Sequence, residues 1–339
     1  TPSIEFFPEG GDLVIGLHSR VAFQIPSGLG IRKGTIVDEN DMAITNFTAN
    51  ADGQGIFTIT PQDGKQYFAT ATGISVKLPL PAAYPNGYVL EVLGQEGNYV
   101  KINIRSTQKD VVALAAQLRG TMYYAVEHSI EPGDNFIKVP VQNMPAGVLQ
   151  LSLFDAEGVG HAERLVFVNK NKKLNISIKT DKTNYLPREK VTAQITVTDD
   201  KGRPVKTTLS LTAVDDLLAH TQNTNILSAL LLEPDLSGAA DHAGYLFDPA
   251  NKNADVQMEL LLMTSGWRMS VLASSASSAV SATPTTPPAG PETTASLPRK
   301  ASARTRARLP LARRAAAGRK RRSARCWRWI GTAPCIAAT

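Results

Sequence analysis

Histidines are the first residues to consider for catalysis or metal binding, because imidazole titrates near neutral pH and ligates metals readily. No two of them lie four residues apart, so the sequence has no His-Glu-x-x-His zinc motif. His161-Ala162-Glu163 matches one half of the zinc deaminase signature. The other half requires Pro-Cys-x-x-Cys, and Pro334-Cys335 lacks the second cysteine, so we interpret the match as chance. The five histidines are His18, His128, His161, His220 and His242.

Motifs for nucleophilic catalysis and for phosphate binding are also missing from the sequence. It contains no Gly-x-Ser-x-Gly elbow and no Walker loop, and Gly28-Leu29-Gly30 lacks the third glycine of a dinucleotide fingerprint. The only cysteines are Cys326 and Cys335, so the preceding residues can supply neither a thiolate nor a disulfide. The sequence therefore predicts a non-enzymatic protein with no catalytic, cofactor-binding or metal-ligating residues and no cofactor.

Two pairs of carboxylates and one tryptophan leave alternatives open. Asp199-Asp200 and Asp215-Asp216 could contribute to a Ca²⁺ site, since clustered carboxylates suit that ion. Asp is also a preferred turn and helix-capping residue, and we favour that interpretation. Trp267 is more typical of a core or interface aromatic residue than of a ligand platform.

The charged residues are distributed unevenly along the chain. All acidic residues lie at or before Glu292, whereas 13 of the 36 basic residues lie between Arg299 and Arg328. Residues 1–298 therefore carry 23 basic and 30 acidic side chains, a net charge of −7. The basic tail could bind polyanions without specificity, but the chain as a whole does not have the charge distribution of a nucleic-acid-binding protein. We predict no specific nucleic-acid partner.

Strand patterns dominate from Ile4 to about Asp215. Short runs rich in Val, Ile, Phe, Thr and Tyr alternate with turns rich in Asp, Asn and Gly. About seven strands fit before Pro79, and a similar series follows up to Val168. The sequence therefore predicts a mainly β chain with two tandem immunoglobulin-like β-sandwiches, at 1–78 and 79–169.

A third unit is predicted at 170–267, where three strands precede a helical segment at about 216–264. Ile226, Ala229, Leu230 and Glu233 follow the spacing of a helix face, and a second helix is predicted from Ala254 to Met263. Three strands are fewer than a closed sandwich requires.

The tail at 268–339 differs from the rest of the chain in composition. It has one acidic residue and no Phe or Tyr, and Ser, Ala, Thr, Pro and Arg dominate it. Such a segment buries too little apolar surface to offset chain entropy, so we expect a disordered basic tail. A natural low-complexity tail is one explanation. We favour another, out-of-frame translation of GC-rich DNA from about residue 268.

Several segments, occurring in order along residues 4–268, resemble a known family. Thr180 to Val191 contains Tyr185-Leu186-Pro187-Arg188-Glu189-Lys190-Val191, which resembles the start of a macroglobulin MG2 domain. The whole series is similar to bacterial envelope proteins in which macroglobulin-like domains precede the plug of a TonB-dependent receptor. The other segments are Phe6 to Gly11, Glu163 to Asn169, Asn225 to Gly238 and Met258 to Arg268.

The resemblance implies macroglobulin-like sandwiches and a structural or interaction module of the cell envelope. It also implies protein partners there and a periplasmic or outer-membrane-associated location. We expect the signal peptide of an exported protein to have been removed or to lie upstream of this sequence. No run of apolar residues in the sequence is long enough to span a membrane. The alternative is a relative of α-macroglobulin endopeptidase inhibitors that lacks the thioester. An enzyme, the third class, would need a convergent polar site that the sequence does not display.

Overall fold

The computed structural model describes residues 4–26, 30–71, 76–186, 188–215, 225–236, 243–265 and 327–332. The chain is mainly β, which confirms the predicted fold class. Two compact units are present: Thr1–Lys170 with Asn223–Thr285, and Asn171–Gln222 with Thr286–Thr339. Within the described ranges, no helix has both the length and the hydropathy needed to cross a bilayer.

The first sandwich consists of one three-stranded and one four-stranded antiparallel sheet. The sheets have the strand orders β1-β3-β6 and β5-β4-β7-β8. Their facing sides enclose one core, in which the rings of Phe23, Phe47 and Phe57 contact each other. A further short strand, β2, pairs in parallel with β9 just after the sandwich. The strands are β1 Glu5–Pro8, β2 Leu13–Val14, β3 Ser19–Gln24, β4 Lys33–Asp38, β5 Ala43–Thr48, β6 Gln54–Ile59, β7 Tyr67–Ala71, β8 Leu78–Pro79 and β9 Ala83–Tyr84.

The second sandwich repeats the pairing order of the first, once β2 is set aside. Its first, second and fifth strands form the sheet β10-β11-β14, and the remaining four form β13-β12-β15-β16. Alternate residues of these strands face a single apolar core, as in Val112, Leu114 and Ala116 of β12. The strands are β10 Tyr88–Glu96, β11 Tyr99–Ser106, β12 Asp110–Leu118, β13 Thr121–Ile130, β14 Gly133–Pro140, β15 Gly147–Phe154 and β16 Gly160–Val168.

Four turns in the described chain share one hydrogen-bond pattern. In the turn after β4, the carboxylate of Asp38 accepts the backbone N–H groups of Asn40 and Met42, each at 2.9 Å. The residue three positions after the acceptor has a positive φ and is Asp41 here. A side-chain oxygen thus replaces the missing ladder partners at the turn. The acceptors of the four turns are Asp38, Asn50, Asp155 and Asp199.

The helical segment packs on the second sandwich. It comprises α1 Ile226–Leu231, 3₁₀ turns at Glu233–Asp235 and Ala243–Phe247, and α2 Ala254–Thr264. Its apolar side chains share one core with Val148, Leu165 and Phe167, which lie on β15 and β16. This corrects the predicted third unit, which joined these helices to the strands after residue 170. The apolar face of β16 needs a cover, and the periodicity of a helix does not reveal which sheet it covers.

The other unit contains two antiparallel strand pairs in its described residues, β17 with β18 and β19 with β20. The first three strands lie where the sequence predicts them. The strand β20 lies within the segment predicted to be disordered, and the rest of 268–339 is outside the described residues. Its Trp and Ile residues favour strands, a local preference that the average composition of the tail conceals. The strands are β17 Asn175–Thr180, β18 Ala193–Thr198, β19 Ser210–Asp215 and β20 Trp327–Thr332.

Candidate functional site

Two charged residues are almost fully buried at one place in the first unit. Glu9, just after β1, is 2 % exposed, and Arg164, on β16, is 3 % exposed. Arg164 Nε donates a hydrogen bond of 3.0 Å to Glu9 Oε1, and the backbone N–H of Val92 donates to the same oxygen at 3.2 Å. One carboxylate of the first sandwich therefore binds two strands of the second.

Two further residues complete a cluster of alternating charges. Glu259, on α2, accepts a hydrogen bond from Arg164 Nη2 at 2.6 Å and one from Arg20 Nη1 at 3.3 Å. Arg20 Nη1 also lies 3.4 Å from Glu9 Oε2. We call Glu9, Arg20, Arg164 and Glu259 the charge cluster. It holds two positive and two negative groups, so their formal charges balance.

The electrostatics of the charge cluster depend on its burial. Burial raises the pKa of the Glu9 carboxyl, because a charged group loses hydration there. The charges of Arg164 and Arg20, together with the hydrogen bonds from Val92 and Arg164, oppose this rise. A buried carboxylate is tolerated when such partners replace water. Arginine does not give up its proton in proteins, so both cations of the charge cluster stay charged.

A glycine allows the backbone to approach this closely. Gly10 has a φ of +89°, and a Cβ added to it would lie 2.8 Å from the backbone nitrogen of Leu90. The carbonyl of Gly10 accepts a 3.1 Å hydrogen bond from the backbone N–H of Glu163. Glu9 and Gly10 thus connect to β10 and β16 through both side chain and main chain. The contact brings together Phe6 to Gly11 and Glu163 to Asn169, two of the segments that carry the family resemblance.

A cavity of about 260 Å³ lies beside the charge cluster. Its lining includes Phe6, Phe7, Asp12, Leu165 and Met263. Burial raises the pKa of the Asp12 carboxyl, and the charge of His161 opposes that rise. The cavity is smaller than the range of about 300–1,000 Å³ that is usual for small-molecule sites.

Two of the described histidines each have a polar side-chain partner. His161 Nε2 is 2.7 Å from Asp155 Oδ2, and His128 Nε2 is 2.9 Å from the hydroxyl of Tyr124. His161 and Glu163 belong to β16, and the Asp155 partner of His161 lies in the turn that precedes this strand. The ranges that the structure describes contain no group of three His, Cys, Asp or Glu residues that could hold a metal ion. His220 and His242 lie outside those ranges.

The carboxylate pairs serve a local purpose where they are described. Asp199 accepts the backbone N–H groups of Lys201 and Arg203 and pairs with the Arg203 side chain at 2.7 Å. This is the turn role that the sequence analysis favoured over cation binding. Asp215 ends β19. The candidates outside the described residues are Asp216, Trp267, Cys326, Cys335, Gly28 and the basic tail residues from Arg299 to Arg325.

Sequence reasoning did not identify the charge cluster. The only local signal is the pair of charged residues Glu163 and Arg164, which lies just before the apolar run Leu165 to Val168 of the same strand. Its partner Glu9 is 155 positions away. Nothing in either segment alone indicates that the two meet.

Comparisons with known proteins give limited information. No family model matches the chain, and no curated protein matches it. Among solved structures, the chain is similar to the crystal structure of trypsin activated alpha-2-macroglobulin from Escherichia coli, with 14 % sequence identity and a TM-score of 0.19. The similarity covers 62 % of this chain and 20 % of that one. The chain thus spans about a fifth of the length of that protein.

Proposed function

We propose that this protein is a non-enzymatic structural and interaction module of the bacterial cell envelope, in which two β-sandwiches form one stiff body. The observation that carries the proposal is the charge cluster. It links Glu9 and Arg20 of the first sandwich, Arg164 of the second, and Glu259 of α2. A spacer requires a fixed angle between its domains, and this cluster supplies a specific contact for that purpose.

The cost of misalignment supports the stiffness of this body. Separating Glu9 from Arg164 within the buried site would leave a carboxylate without its partner, at a cost of about 3–5 kcal/mol. Apolar residues add to the contact, since Val14 and Leu17 of the first sandwich pack against Val89 of the second. Rotation of one sandwich against the other would therefore disrupt both the Glu9–Arg164 contact and this apolar contact.

The experiment compares the wild-type chain with R164M. In both proteins, Cys326 and Cys335 are replaced by serine. The substitutions T58C and E127C then place one spin-labelled cysteine at an exposed position of each sandwich. We expect a narrow distribution of distances in the wild type. In R164M we expect a broader one and a loss of about 3–5 kcal/mol in the free energy of unfolding.

Two variants serve as controls for this experiment. In E9Q/R164M both charges are gone, so we expect part of the lost stability to return. R203M removes an arginine whose side chain is 71 % exposed, so we expect a change within about 1 kcal/mol. A broad distance distribution in the wild type would contradict the proposal.

The finer assignment rests on the resemblance described above. We propose that the chain derives from a TonB-dependent outer-membrane uptake protein with macroglobulin-like domains, and that its partners are envelope proteins. We also propose that residues 268–339 are translated out of frame. Translation of the encoding DNA in its other frames after codon 267 tests both points. A plug-like continuation supports them, and the absence of any continuation in every frame rejects them.

A further inference from the structure

The connection between the two sandwiches is short and contains a reactive dipeptide. The strand β9 ends at Tyr84 and β10 begins at Tyr88, so only Pro85, Asn86 and Gly87 lie between them. Asn86 is exposed. Asn86-Gly87 is the only Asn-Gly sequence among the 339 residues.

We propose that Asn86 is a site of spontaneous deamidation. The backbone nitrogen of Gly87 loses its proton and attacks the side-chain carbonyl carbon of Asn86, which forms a five-membered imide and releases ammonia. Water then opens either carbonyl of the ring and leaves aspartate or isoaspartate. The reaction exchanges NH₃ for H₂O and needs no oxidant. Glycine favours it because no Cβ obstructs the attacking nitrogen.

Thr107 slows this reaction through a hydrogen bond. The backbone N–H of Gly87, which carries the attacking nitrogen, donates a 3.2 Å hydrogen bond to Thr107 Oγ1. The backbone N–H of Thr107 donates a 3.3 Å hydrogen bond to the carbonyl of Gly87. The nitrogen must give up its hydrogen bond before it can attack. Thr107 is therefore a positioning residue that slows the modification.

The modification would change the junction that the charge cluster stabilises. Isoaspartate adds one carbon to the main chain within a connection of three residues. Gly87 lies close to Val14, since an added Cβ would reach Val14 Cγ2 at 3.2 Å. Val14 is part of the apolar contact between the sandwiches. A longer connection therefore displaces Gly87 from this contact.

The test incubates the purified full chain at mildly alkaline pH and follows the tryptic peptide that contains Asn86. We expect that peptide to gain about 1 Da over time and to become a substrate for isoaspartyl methyltransferase. In N86Q we expect no such change, because glutamine would have to form a larger ring. In T107V we expect a rate about two- to tenfold higher, the factor that corresponds to the loss of one hydrogen bond.

The matched control is T58V, a threonine on an exposed position of β6. In the T58V variant we expect Asn86 to be deamidated at the wild-type rate. Other asparagines in the same digest report unfolding, since a general loss of structure would speed their modification too. If Asn86 gains no mass in the wild type, the proposal that it is a site of deamidation is wrong. Equal rates of deamidation in the wild type and T107V would contradict the proposed role of Thr107.

Discussion

Single side chains close several turns of this protein, and Asp38 is one of them. Its carboxylate accepts two backbone N–H groups and pairs with Lys65 Nζ at 2.9 Å. The hydrogen bond from Lys65 and those from Met42 and Asn40 hold the pKa of Asp38 below its ordinary value. Folding therefore favours the ionised form of this residue.

This pKa shift predicts how the variant D38N depends on pH. A lowered pKa in the folded state stabilises the protein above the ordinary value of about 3.9, and that stability is lost as the pH falls through the lowered pKa. Near neutral pH, we expect D38N to unfold at a lower denaturant concentration than the wild type. At a pH below both pKa values, we expect the two midpoints to converge.

The control for this prediction is D63N, which alters an exposed carboxylate in the turn before β7. We expect a midpoint close to that of the wild type near neutral pH. A difference between D38N and the wild type that stays constant with pH would show that charge is not the cause.

Within the first sandwich, two phenylalanine rings cover glycines on neighbouring strands. Phe23 of β3 is directly opposite Gly55 of β6, and Phe47 of β5 is opposite Gly34 of β4. A Cβ added to Gly55 would lie 2.5 Å from Phe23 Cζ and from the carbonyl oxygen of Thr48. The absence of a side chain is thus a requirement of the aromatic core.

This packing predicts that G55A destabilises the protein by about 1–3 kcal/mol, because the core must shift to admit the methyl group. Denaturant unfolding measures the effect. The matched control is G160A, also in a strand, where an added Cβ would meet Phe154 at an ordinary 3.7 Å. Equal effects of the two substitutions would point to backbone entropy in place of steric conflict.

The helical segment depends on the second sandwich for its core. Leu232, which follows α1, is fully buried there. We expect L232A to cost about 2–5 kcal/mol, as large-to-small core substitutions do. Hydrogen exchange should show faster exchange in α1 and α2, with β17 and β18 unchanged because they belong to the other unit. The control L186A alters a leucine that is 76 % exposed. Faster exchange in β17 and β18 as well would reject this division of the chain.

Local patterns account for the elements that the sequence predicted well. The second helix was predicted from Ala254 to Met263 and runs to Thr264. Alternating strands and turn residues are readable because both depend on neighbours a few positions away. The sheet on which the helical segment packs could not be predicted, because an apolar face does not specify which other apolar face it contacts. The charge cluster was missed for the same reason, since Glu9 and Arg164 are distant in the chain.

Across the whole molecule, the distribution of cysteine separates the proposed module from a covalent protease trap. A thioester needs a cysteine in a Cys-x-Glu-Gln motif, because sulfur leaves as thiolate when a nucleophile attacks the acyl carbon. No cysteine precedes Cys326, and neither Cys326-Trp327-Arg328-Trp329 nor Cys335-Ile336-Ala337-Ala338 matches the motif.

We therefore expect no mass shift when the intact chain is treated with methylamine, and no covalent adduct with a serine protease. Mass spectrometry and denaturing electrophoresis measure these outcomes. An α-macroglobulin that contains a thioester is the positive control for both. A protease-sized adduct that survives denaturation would place the inhibitor function ahead of the envelope module.

The parallel pairing of β2 with β9 gives the first sandwich a particular response to mechanical load. In the chain, β2 follows the first strand of the sandwich and β9 follows its last strand. Beside this pair, the backbone N–H of Ile15 donates a 2.8 Å hydrogen bond to the carbonyl of Tyr84. Tension applied along the chain pulls β2 and β9 in opposite directions along their length. Their hydrogen bonds are then loaded in shear, all at once. Resistance to stretching depends on the rate of forced unfolding and not on equilibrium stability.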